Sequence, residues 1–331
     1  MKEVVGTCAG CGKDVVCRDG FFEGEIDRGA SFCFSCGRGL RAEFTEEEMG
    51  SFIAELNKNP EQHTGYCGTD VKEVTHTLKT DFSDLAFKES FVVLKENGKI
   101  IAALGADWDQ SAASGELWGP FSLNEGGKWQ EDASKLWRLL QHKINKDGMW
   151  HGFYNVQNQQ AIQWISLLGG KCKSREVILR VLPEEIKPDE KINVEEFTES
   201  YTDEFKSLHI KVFPDSYFSS DDILSRKNNC NRLFVIQKTQ QLAGYVYVEA
   251  SPSHGEGSIE FMAVNPEFRG KGMGEALLKK AAAFLFQDMN VKEISICVNA
   301  ENEAAIHLYK KVGFSEKYRL DFYKVQNGNN R

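Results

Sequence analysis

The stretch Ile259-Glu260-Phe261-Met262-Ala263-Val264-Asn265-Pro266-Glu267-Phe268-Arg269-Gly270-Lys271-Gly272-Met273-Gly274 decides the reading of this chain. A strand runs into an Asn-Pro turn and then into alternating glycines. A helix pattern follows, in which Leu277, Leu278, Ala281 and Leu285 share a face. A glycine-rich turn at a helix start suits a phosphate. The first N–H groups of a helix lack partners within it, the positive end of its dipole lies there, and glycines let an anion approach the backbone. Arg269 and Lys271 add positive charge. Two common phosphate loops are excluded. Gly274 is followed by Glu275-Ala276-Leu277, so no G-x-G-x-x-G forms, and no G-K-[ST] occurs here.

What remains is V-x-P-x-x-R-G-x-G-x-G ahead of a helix, carried by Val264, Pro266, Arg269, Gly270, Gly272 and Gly274. It resembles the signature of the GNAT superfamily of acyl-CoA N-acyltransferases. The resemblance covers about residues 190–326 and includes Asn302, Tyr309 and Gly313-Phe314 at family-like spacing. It implies acetyl-CoA as co-substrate, cradled by Arg269, Gly270, Lys271, Gly272, Met273 and Gly274. It also implies that the strand before the loop splays from its neighbour, so that Met262, Ala263 and Val264 contact the coenzyme. The Val264 N–H would then polarise the thioester carbonyl.

Glu260 shares strand parity with Met262 and Val264, where family members often carry an acid. It is the expected general base, acting through water; a solvent-facing or salt-bridged glutamate is the plainer alternative, and Glu249 is its substitute. Tyr309 follows Asn302 by two helical turns and so shares its face. The resemblance implies that its hydroxyl protonates the departing thiolate, the alternative being a core tyrosine. Asn302 would hydrogen-bond the coenzyme or cap its own helix. His307 is expected to point away from Tyr309's face, and Cys297 to be core.

The chain repeats itself. Asn155–Ile162 aligns with Asn299–Ile306, Phe91–Leu94 with Leu233–Ile236, and Gly115–Leu117 with Gly257–Ile259. Each half reads as two strands, 91–95 and 99–107 (turning at Asn97-Gly98) or 233–238 and 242–250. A third strand, an amphipathic helix, a strand, a shorter helix and a last strand follow. In the first half Ala133, Leu136, Trp137, Leu140 and Ile144 form the helix face. The expected class is α/β (α+β layered): tandem GNAT-like domains, each with a central mixed β-sheet flanked by helices. The second half opens with a strand near 191–197 and inserts helix-like stretches at 201–212 and 216–228, placed to roof a substrate site. In the first half Asn124-Glu125-Gly126-Gly127-Lys128-Trp129 lacks the arginine and the spaced glycines, and Ile165 replaces the tyrosine. That copy is expected to be degenerate and to bind no acyl-CoA.

Cys8-x2-Cys11 and Cys33-x2-Cys36 are two knuckles that together would complete a closed four-thiolate shell for a structural Zn2+, as in a zinc ribbon. The expected organisation is a zinc-ribbon-like module at 1–45, a linker at 46–70, a degenerate GNAT-like domain at 71–183 and a GNAT domain at 184–331.

Composition bounds the rest. A formal charge of −9 argues against a polyanion-binding surface, so nucleic acid is not an expected partner. The apolar-looking stretch 148–170 holds several Asn and Gln and is no membrane span. Nine cysteines without a secretory signal point to the cytoplasm. The expected function is transfer of acetyl from acetyl-CoA to a primary amine of a small-molecule or peptide acceptor by direct attack. The competing reading is an acetyl-CoA-binding regulator or adaptor whose zinc ribbon docks a protein partner. The acceptor itself carries no recognisable signature.

Overall fold

The computed structural model describes residues 2–80, 82–186, 192–214 and 216–326. The chain forms two units, Met1–Arg175 with Leu320–Arg331, and Glu176–Arg319. The first unit begins with a small module. β1 (Lys2–Thr7), β2 (Asp14–Arg18) and β3 (Phe21–Phe22) make one antiparallel sheet, β4 (Glu25–Asp27) and β5 (Ala30–Phe32) a hairpin, and α1 (Phe34–Leu40) starts directly after Cys33. This module is part of its unit's core. Phe32 and Cys36 are fully buried in one cluster with Leu136, Leu139 and Leu140. Lys135 Nζ donates to Ser35 Oγ at 2.9 Å, and Asp27 meets His142 Nε2 at 2.8 Å.

The unit continues through α2 (Glu46–Asn57), α3 (Val71–Thr80), α4 (Phe87–Ser90), β6 (Phe91–Glu96), β7 (Lys99–Asp109) and β8 (Ser114–Ser122). Then come α5 (Gly126–Ile144), β9 (Met149–Asn155), α6 (Gln159–Leu167) and β10 (Lys171–Val181). The stretch 46–70, expected as linker, instead carries α2, which starts on a capping box made by Thr45 and Glu48. Asn97 and Gly98 both have positive φ, 49° and 81°, which is the hairpin turn that their identities predict between β6 and β7. α5 buries Ala133, Leu136, Trp137, Leu140 and Ile144, the face read from the spacing.

The second unit repeats the pattern. β11 (Glu195–Glu196) is two residues long, and Lys191, the start of the longer strand expected there, lies outside the described residues. α7 (Thr202–Val212), α8 (Ser220–Arg226), β12 (Arg232–Lys238), β13 (Gln241–Ser251) and β14 (Glu256–Val264) follow. The unit ends with α9 (Met273–Ala283), β15 (Glu293–Asn299), α10 (Glu303–Val312) and β16 (Ser315–Gln326). Its strands lie in the order β11-β12-β13-β14-β15-β10. One sheet face buries Ile236, Val246 and Ile296 against Leu277, Leu278 and Ala281 of α9. The other buries Tyr245, Tyr247 and Phe261 against Phe205 of α7 and Ile223 of α8.

The chain changes unit inside two strands. Residues 176–181 of β10 pair with β15, and residues 320–326 of β16 pair with β9. Alternation specifies that a segment is a strand and which side faces the core, not which neighbour it takes.

Candidate active site

β14 and β15 run parallel but pair only from Glu256–Ile259 with Glu293–Ile296, and then part. The cause is local. Ile259 stands opposite Val248 and Phe261 opposite Tyr247, so Glu260 is the extra residue of a β-bulge. A bulge bends its strand and re-aims the side chain it carries. The parting opens a cleft of about 730 Å³. Its lining includes Glu260, Met262, Ala263, Val264, Arg269, Gly270, Gly272, Met273 and Gly274 on one side, with Asn302 and Tyr309 on the other. Of the residues singled out as site or coenzyme ligands, Lys271 is the one outside this lining. Its ammonium turns back to the Glu267 carbonyl at 3.0 Å.

Strand bonding sorts the β14 residues further. The Asn265 N–H donates to Ala243 O at 2.9 Å, and bonded pairs alternate along an antiparallel ladder. The pairs Gly244–Val264 and Val246–Met262 therefore turn their peptide groups away from each other, and Val264 and Met262 present theirs to the cleft. Consistent with this, the Val264 carbonyl accepts from Arg269 Nε at 3.1 Å. Ala263 is different. Its peptide groups are committed to Tyr245, so it can offer the cleft a wall and no backbone bond.

The loop needs its glycines. Gly270 and Gly272 sit at φ 72° and 81°, in the left-handed region that side chains disfavour. Gly272 is the N-cap of α9, and among the described residues no side chain caps that end, which leaves the first-turn N–H groups for a ligand. A β-carbon at Gly274 would lie 2.7 Å from Leu308 Cδ2, so the helix starts close against α10. Glu275, in the first turn, pairs with Lys279 at 2.8 Å and Lys311 at 2.7 Å. These two ammonium groups hold its carboxyl at about 2, so its charge is matched within the protein.

On the opposite wall Asn302 caps α10, its Oδ1 accepting from the Ala305 N–H at 3.2 Å, while it also lines the cleft. Tyr309 is 6% exposed, and no hydrogen-bond partner of its hydroxyl occurs among the described residues. Burial, with the neighbouring Cys297, pushes its pKa up to about 12. Cys297 is not core, contrary to expectation. It is the first β15 residue beyond the last pair, its side chain is open to the cleft, and His307 also lines it. Protein crowds the thiol on its other sides; this desolvation, with the charges of Glu176 and Glu260, pushes it to about 12.

The Glu260 carboxylate accepts a hydrogen bond from the Tyr217 hydroxyl. Glu249, the expected substitute, is engaged elsewhere. Arg226 grips it with two bonds of 2.9 and 3.2 Å, and Tyr247 donates to it at 2.6 Å. Sequence reasoning missed Val212 and Phe213, which reach the cleft from the end of α7. Their signal was the inserted stretch itself, which named the region but not the residues.

At the front of the chain the Sγ atoms of Cys8, Cys11, Cys33 and Cys36 all lie within 4.8 Å of one another. A tetrahedral zinc–thiolate shell needs sulfurs roughly 3.8 Å apart. The Cys33 N–H points at Cys8 Sγ at 3.2 Å, as knuckle sulfurs require. Burial pushes the Cys36 thiol far up, so a central cation is what would keep it a thiolate.

Residues 194–314 match the family described as Acetyltransferase (GNAT) family. A 90-residue stretch is 34% identical to spermidine N(1)-acetyltransferase of Escherichia coli (strain K12), covering 27% of this chain and 48% of that protein. The chain thus spans about half the length of this curated relative. Among solved structures, a GCN5-related N-acetyltransferase from Sphaerobacter thermophilus matches 85% of this chain and 92% of its own, with TM-score 0.65 at 16% identity. A tandem GNAT protein from the clavulanic acid biosynthesis pathway matches 88% and 98%, with TM-score 0.58 at 12% identity. At these identities the structures speak for the fold: a mixed α/β architecture, built in tandem.

Proposed function

We propose, from the premise that the C-terminal region of this chain belongs to the acetyltransferase (GNAT) family, that its second repeat moves an acetyl group from acetyl-CoA to a primary amine. One observation carries the proposal. The parting of β14 and β15 opens onto the start of α9, which no side chain caps among the described residues, with Glu260 and Tyr309 on the walls of the same space. An anionic coenzyme would be held by the N–H groups behind Gly272 and by Arg269, and its thioester arm by the exposed peptide groups of Met262 and Val264. Glu260 takes the proton of the attacking amine, directly or through water. The Val264 N–H stabilises charge on the carbonyl oxygen, and Tyr309 returns a proton to the leaving thiolate. Asn302 would fix the coenzyme with the donor atoms its cap leaves over.

The acceptor enters beside Phe213 and Glu260, and the name of the Escherichia coli relative supports an amine there. Small molecules and peptides both remain within this reading. The catalytic domain is taken as 184–331 and the degenerate copy as 71–183, each lending its last strand to the other's sheet: residues 176–181 pair with β15 and residues 320–326 with β9. The four cysteines of the front module would hold Zn2+ structurally, in a closed shell with no position for chemistry. A chain rich in free thiols suits the cytoplasm, and among the described residues no helix is long and apolar enough to cross a membrane.

The test is release of coenzyme thiol from acetyl-CoA by the purified chain, across amines that include polyamines, amino acids, aminoglycosides and peptides. Release stimulated by an amine supports the proposal. Coenzyme binding without release with any amine supports the regulator reading instead. Glu260→Gln is expected to depress the rate most at the acidic end, where unprotonated amine is scarcest and a base matters most. A pH profile parallel to the parent's would remove Glu260 from the base role.

A further inference from the structure

In the first unit the corresponding parting of strands is filled from within. β8 and β9 pair in parallel only from Ser114–Glu116 with Met149–His151, and beyond that point each has an edge to satisfy. The β9 edge is taken by residues 63–65. The Gly65 N–H donates to Phe153 O at 2.7 Å, the Asn155 N–H donates to His63 O at 3.1 Å, and Thr64 bridges Tyr154. At the β8 edge the Ser122 N–H donates to Gln62 Oε1 at 3.2 Å. The Tyr154 hydroxyl closes the gap, donating to Gly119 O at 2.9 Å.

The inserted segment is locked. Asn57, the last residue of α2, is fully buried, and its Oδ1 accepts from the Thr64 N–H at 2.8 Å. Its Nδ2 donates to Cys67 O at 2.6 Å and to Gly68 O at 3.2 Å. Thr64 has no exposure. Gly65 has no room for a side chain, since a β-carbon would lie 2.5 Å from Phe153 Cδ1. Buried peptide groups must find partners, and a strand edge left open inside a core would be costly.

We infer that residues 62–67 are an internal ligand, permanently occupying in the first repeat the slot that stands open between β14 and β15 in the second. The first repeat keeps the splayed geometry because its own chain fills it. It is an occupied scaffold and not a second coenzyme site. Asn57 is the positioning residue of this device.

Site-resolved hydrogen exchange on the full chain, with and without saturating acetyl-CoA, tests it. The amides of Gly65 and Asn155 are expected to exchange slowly and at the same rate in both samples. In Asn57→Ala they should exchange about tenfold faster or more, as the loss of a buried hydrogen-bond clip requires. Any protection acetyl-CoA gives to residues 270–276 should be the same in the variant as in the parent. Gln62→Ala, which removes the acceptor of the Ser122 N–H, serves as a second variant should Asn57→Ala not fold, and the Ser122 amide should then exchange faster. Faster exchange at Gly65 and Asn155 on adding acetyl-CoA would overturn the inference, as would unchanged exchange in the variant. If acetyl-CoA protects nothing at 270–276, the acetyl-transfer reading fails, while the Asn57 comparison still decides this one.

Discussion

Tyr309→Phe is expected to lower turnover about 10²-fold or more while changing coenzyme affinity by no more than about twofold. The substitution removes one oxygen and leaves the ring, which packs against Phe314 at 6.1 Å between centroids. The fold should therefore survive. The ring is buried, while the hydroxyl lies at the cleft wall with no hydrogen-bond partner among the described residues, open to a ligand in the cleft. Its pKa, raised to about 12, keeps it protonated across the neutral range. An acid must hold its proton to give it, so Tyr309 imposes no alkaline loss of rate until pH approaches about 12. Steady-state rates and coenzyme binding measured on parent and variant check this. Unchanged turnover would return Tyr309 to the core.

Gly272→Val is expected to weaken acetyl-CoA binding about tenfold to a hundredfold. Gly272 has φ 81° and ψ 0°, where a residue with a β-carbon pays about 1–2 kcal/mol, and valine adds branching. The new methyls would also stand at the uncapped end of α9, where an anion must approach the N–H groups. A control separates strain from site. Gly169 has φ 84° and, among the described residues, nothing within 4 Å of an added β-carbon, so Gly169→Val imposes similar strain in the first repeat and should leave coenzyme binding intact. Equal losses in both variants would mean that the loop is only a turn.

The parts of this fold set by local chemistry were legible in the sequence. Asn97-Gly98 announced a hairpin, the spacing of Leu277, Leu278 and Ala281 announced the buried face of α9, and the glycine-rich turn announced a helix start just behind it. Register and partner choice were not legible. Cys297 read as core because its strand is apolar, yet one step past Ile296 the neighbouring strand is gone and its thiol meets the cleft. Ala263 and Val264 looked alike as coenzyme contacts, and only the ladder phase fixed by Asn265 separates them. Lys271 is expected at a phosphate by its position, and its flexible side chain rests on the Glu267 carbonyl, a contact that position alone does not report. The plug at 62–67 was hidden because its lock is a single asparagine at a helix end, which no periodicity reports.

Calorimetric titration of the intact protein with acetyl-CoA tests the central claim most directly. One coenzyme per chain, with affinity reduced in Gly272→Val and kept in Gly169→Val, is the predicted result. Two coenzymes per chain, or none, would contradict an account in which the second repeat holds the open cleft and the first is filled by its own chain.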